Sequence, residues 1–96
     1  MYGTIARCQV KPGSEAALLD LIKEFDTLDV PGFVKEFLFR ADSEPDTYYM
    51  VALFQNRATY YANADSPEQH ERYLRFRELL TFDPEWHDGD LLTPLK

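Results

Sequence analysis

The 96 residues suffice for one domain over 1–96 with one thin core. Ten Lys and Arg against seventeen Asp and Glu give a formal net charge of -7, which argues against nucleic acid or an anionic membrane surface as partner. The hydrophobic share of 45% argues against disorder, no apolar run approaches the ~18 residues of a membrane span, and no basic-then-apolar secretory pattern opens the chain, so a cytoplasmic protein is expected.

Tyr2 to Lys11 is rich in strand formers and alternates, with Tyr2, Thr4, Ala6, Cys8 and Val10 on one side. Cys8, the single cysteine, excludes an intrachain disulfide and a multi-cysteine zinc site, and its apolar setting reads as a small buried hydrophobe. Pro12-Gly13 stops the strand. Ser14 reads as an N-cap, and Leu18, Leu21, Ile22 and Phe25 form the apolar stripe of a helix that Pro31-Gly32 closes off. Phe33 to Ala41 and Thr47 to Gln55 are two strands over a polar turn, hence an antiparallel hairpin. Asn56 caps a short helix over about Arg57 to Ala64. Ser66, with Pro67 behind it, starts a longer one to Thr81 with Tyr73, Phe76 and Leu80 inward. Asp83-Pro84 breaks that helix, and Trp86 to Leu95 is expected as the last strand. The order β-α-β-β-α-β, with short connections and right-handed crossovers, predicts an α+β, ferredoxin-like fold with a four-stranded antiparallel sheet and the helices on one face.

The third strand, Tyr48 to Phe54, is apolar without a break, and the second places Phe33, Phe37 and Phe39 on one register and Val34 and Leu38 on the other. Continuous apolar strands belong in sheets covered on both faces. Helices cover one face only, so the other is expected to meet a second copy in a homodimer packed sheet to sheet. The rival arrangement covers that face within one chain, by tyrosines and the C-terminal segment.

Three stretches, MYGTIARCQVKPG, PGFVKEFLFRADSEPDTYYMVALF and SPEQHERYLRFRELL, together with the element order, resemble the dimeric α+β barrel proteins. Within these the chain is most similar to the antibiotic biosynthesis monooxygenase-like family. The resemblance spans essentially the whole chain. It implies a homodimeric barrel with a cavity between helices and sheet in each protomer. It also implies either cofactor-independent oxygenation of electron-rich polycyclic aromatics or haem degradation. The haem-degrading members share an Asn in the first strand and a Trp and a His around the second helical region. Here the first strand offers Arg7, Cys8 and Gln9, and the sole tryptophan, Trp86, follows the helices. The quinone-forming members surround their cavity with Asn, Trp, Tyr and Arg. Asn63, Tyr61, Tyr73 and Arg7 are the corresponding substrate-binding candidates in this sequence.

Among chemically able residues, His70 on the long helix is the candidate general base, with a helix-surface histidine as the plain alternative. His87 beside Asp88 and Asp90 lacks a metal-ligand spacing, and successive strand residues face opposite sides, so no metal is expected. Trp86 reads as an anchor of the last strand or of the dimer contact. Strand arginines Arg7 and Arg40 can bind an anion, pair in a salt bridge or stay exposed. An aromatic share of 15% suits a flat apolar ligand as well as a core. No Gly-rich phosphate loop, Ser-His-Asp set or CxxC is present, and no cofactor is expected. Two functions remain. One is a cofactor-independent monooxygenase acting on an apolar aromatic molecule. The other is a non-catalytic homodimer serving as a ligand-binding or housekeeping module.

Overall fold

The computed structural model describes residues 1–94. Its strands are β1 (Tyr2–Gln9), β2 (Phe33–Arg40), β3 (Thr47–Phe54) and β4 (Glu85–Asp90), and its helices α1 (Glu15–Asp26), α2 (Arg57–Ala64) and α3 (Pro67–Glu78). The strands form one antiparallel sheet in the order β2-β3-β1-β4. This is the expected ferredoxin-like arrangement, with the second helical region broken at Asp65-Ser66 into two helices.

Local signals fix most element starts. The Asn56 side chain accepts from Thr59 N–H at 2.9 Å and the Ser66 hydroxyl from Gln69 N–H at 3.1 Å, so α2 and α3 both begin on a side-chain cap. Ser14 precedes α1, but its hydroxyl makes no cap bond, because its backbone (φ -97°, ψ 5°) is not in the extended conformation a cap needs. Glu15 beside it is engaged instead, accepting from Arg40 and, at 2.7 Å, from the Tyr48 hydroxyl, which ties the start of α1 to β2 and β3. At Gly32 the backbone turns left-handed (φ +79°), and a side chain would strike Thr59 on α2.

The end of α3, the end of β4 and the register of β2 depart from the sequence reading. α3 stops at Glu78, not Thr81, because the end of β1 captures the following backbone. Lys11 N–H donates to Leu79 O at 2.8 Å, Thr81 N–H donates to Gln9 O at 2.9 Å, and Leu80 bridges Val10. β4 ends at Asp90, short of the expected Leu95, because its pairing with β1 stops there, opposite Tyr2. Leu91 N–H takes the Met1 carbonyl, Leu92 is exposed, and Leu95 lies outside the described residues. In β2 the register shifts between Phe33 and Lys35. The shift turns Phe33 to the helix face, edge-on to Phe25 and Phe54, while Phe37 and Phe39 stay on the opposite face.

The core sits between helices and sheet, around Ala6, Cys8, Val10, Leu18, Tyr48, Met50 and Leu80. The opposite sheet face carries Ile5, Phe37 and Phe39 with 52%, 37% and 60% of their surfaces exposed. Tyr49, Val51 and Leu53 on β3 share that face by register. Leu53 on that face is buried and Leu92 is exposed.

Candidate functional site: the cavity between helices and sheet

Cross-strand registers explain where the interior is filled and where it is open. The row Leu38–Met50–Ala6–Trp86 leads into the packed core. The row Phe33–Phe54–Tyr2–Asp90 carries large aromatic rings. Between them runs Glu36–Ala52–Thr4–Asp88, two small side chains flanked by two carboxylates. Over this low row the layers enclose a cavity of about 430 Å³. That volume lies within the range of small-molecule sites. Leu21, Ile22 and Phe25 wall it from α1, Tyr60, Tyr61 and Asn63 from α2, and His70, Arg72 and Tyr73 from α3.

One end is a phenol cluster. Tyr60 and Tyr61 donate their hydroxyls to the two carboxylate oxygens of Asp88 at 3.0 and 2.9 Å. Because Tyr61 gives its proton to Asp88, the 3.1 Å contact with Tyr2 is a bond donated by Tyr2. The three rings meet at centroid separations of 5.0–5.8 Å, and the Arg57 guanidinium lies over Tyr2 and Tyr61 at 5.6 and 5.2 Å. Burial, together with the facing Asp88 charge, pushes Tyr60 up to about 12. The Tyr2 hydroxyl and Asp88 raise Tyr61 as well, so both phenols are protonated donors at neutral pH. Next to them Thr4, only 4% exposed, lines the cavity with its hydroxyl beside Tyr60 and Asp88.

The other end belongs to Glu36. Burial, and then the like charge of Asp26, push its carboxyl up to about 7. Arg72 on α3 donates to Gln69 at 2.9 Å and to Asn63 at 3.3 Å and covers the Phe25 ring at 5.3 Å. Among the described residues it forms no ion pair.

His70, Tyr61, Asn63 and Tyr73, the candidates read from sequence, all line this one cavity. Arg7 does not. It pairs with Tyr49 on the opposite sheet face and donates to Glu44 at 2.8 Å, since β1 alternates and Ala6 and Cys8 take the inward side. Trp86, read as an anchor of the last strand or of the dimer contact, lies on β4 paired with Ala6. It faces the helices, lines the cavity, and approaches Tyr73 at 6.4 Å between ring centroids. The sequence reading passed over Glu36, Thr4, Tyr60 and Arg72. The available signal for Glu36 was a charge within the apolar run of β2 at the same parity as inward Leu38.

The model of the antibiotic biosynthesis monooxygenase family matches residues 1–74. The chain belongs to that family. Solved structures agree along almost the whole length. SnoaB of Streptomyces nogalater, described as a cofactor-independent oxygenase, superposes with a TM-score of 0.80 at 19% identity, covering 98% of this chain and 95% of that one. A Chloroflexus aurantiacus protein, described as a candidate antibiotic biosynthesis monooxygenase, gives 0.77 at 19% identity over 99% and 96% of the two chains. A conserved protein of Methanosarcina mazei gives 0.76 at 19% identity over 92% and 89%. At these identities the likeness establishes the fold. None of the curated proteins matches the chain.

Proposed function

We propose that this antibiotic biosynthesis monooxygenase family member takes a flat, hydroxylated aromatic molecule into the helix–sheet cavity and oxygenates it without a cofactor. The observation that carries this reading is the aromatic-walled cavity of about 430 Å³ between helices and sheet. The description of SnoaB as a cofactor-independent oxygenase supports the chemistry. The cavity desolvates and orients a phenol, and loss of the phenolic proton makes the ring electron-rich enough to meet dioxygen. One oxygen atom then joins a ring carbon and the other leaves as water, while the ring gives up four electrons to become a quinone. Tyr61, Asn63 and Tyr73 are the substrate-holding residues of this proposal, and His70 is the proton acceptor that the sequence offers.

Oxygen uptake with a panel of hydroxylated naphthalenes and anthracenes tests the proposal. One dioxygen consumed per quinone formed, without hydrogen peroxide, is expected. Binding without oxygen consumption supports the second reading, a ligand carrier of the same fold. That reading draws on Tyr60 and Tyr61, whose protons are committed to Asp88 and so take no part in proton transfer to or from a ligand.

The assembly we propose is a homodimer packed sheet to sheet, supported by the exposed Ile5, Phe37 and Phe39.

A further inference from the structure

We propose that Glu36 is the proton acceptor for a hydroxyl of the aromatic ligand. The inference rests on the aromatic-ligand reading above and moves the proton-accepting role from the helix to the sheet.

Three carboxylates line the cavity, and their partners set them apart. Glu24 is held by both terminal nitrogens of Arg75 at 3.1 and 3.2 Å. Asp88 is held by two phenols. Glu36 has neither a hydrogen bond nor an ion pair among the described residues. Glu24 and Asp88 are paired although exposed, whereas Glu36 is half-buried and unpaired, where a purely structural carboxylate would need a partner. Beside it on β3 stands Ala52, a methyl group, which leaves room for a ligand.

The charged surroundings suit a proton that moves. From α1, Glu24 is neutralised by Arg75, and Asp26 adds a negative charge that favours the protonated Glu36. From α3, Arg72 brings a cation without a carboxylate partner to the same cavity, and His70 lines it as well. The Asp88 end lies three strands away, about 14 Å between backbones at the usual interstrand spacing. In the step itself the ligand O–H bond breaks and its electron pair stays on the ligand oxygen. The proton joins a Glu36 carboxylate oxygen, and nothing is oxidised or reduced.

The test uses 2-naphthol, which keeps its proton in water across the range examined, and its methyl ether, which has none to give. Binding of each to the full chain is followed by fluorescence between about pH 5.5 and 8.5. For the unaltered protein, naphthol affinity is expected to rise about tenfold as pH passes about 7, where Glu36 ionises, and the ether should show no such rise. Glu36→Gln is expected to remove the rise and to bind naphthol about tenfold more weakly at the upper end. Equal affinity for naphthol and its ether in the unaltered protein, or an unchanged profile in Glu36→Gln, overturns the role of Glu36 and leaves aromatic binding standing. Failure of both compounds to bind overturns the aromatic-ligand reading and this inference with it.

Discussion

Glu36 imposes a pH dependence on the fold itself. Its carboxyl titrates at about 7 in the folded chain against an ordinary value of 4.5. Between these values the folded chain holds a proton that the unfolded chain releases, so stability falls as pH rises from 4.5 to 7. Glu36→Gln should therefore stabilise the protein at pH 8, by on the order of 2 kcal/mol, and change little at pH 4. Urea unfolding at the two pH values measures both. Glu15 has the opposite sign. Hydrogen bonds from Arg40 and then Tyr48 hold its carboxyl at about 2, so its contribution is full above 4.5 and is lost as pH falls through about 2. Arg40→Met should shift the acid-unfolding midpoint, followed by circular dichroism, to higher pH. Sequence made both residues visible as charges on or near strands. It could not say that one had a cationic partner and the other had none, because those partners come from distant parts of the chain.

Among the elements, starts were more legible than ends. A helix start is written in a few consecutive residues, and Ser66-Pro67 and Asn56 announce α3 and α2 without reference to the rest of the fold. Ser66→Ala should lower stability by about 1 kcal/mol, measured by chemical denaturation, with the cavity unaltered. Ends depend on what the backbone meets. Leu79 to Thr81 have helix-compatible side chains, yet β1 offers hydrogen bonds that draw them out of α3. β4 stops where its pairing with β1 stops, at Asp90 opposite Tyr2, and Leu91 N–H then takes the Met1 carbonyl. The shift at Phe33 has the same origin: alternation assigns one parity to the whole strand, and a single bulge reverses it for one residue. That reversal places the Phe33 ring against Phe25 instead of leaving it on the outer face.

The whole molecule has one filled and one open side of its helix–sheet layer, and one sheet face without helices. A homodimer through that face predicts that Phe39→Asp, placing a charge among Tyr49, Val51 and Phe37, yields a folded monomer in sedimentation velocity while the unaltered chain runs as two copies. A single-copy unaltered chain would exclude the dimer. By itself the sequence determined the element order and the sheet's inner and outer faces, because hydrophobic period and capping chemistry are properties of neighbouring residues. It also placed His70, Tyr61, Asn63 and Tyr73 on the helices that wall the cavity. Only the tertiary structure decided that Glu36, Ala52, Thr4 and Asp88 form one row, that Arg7 lies outside it, and that Glu36 is left without a cationic partner among the described residues. The physical reason is that register between strands far apart in sequence sets which side chains face one another, and no local pattern encodes it.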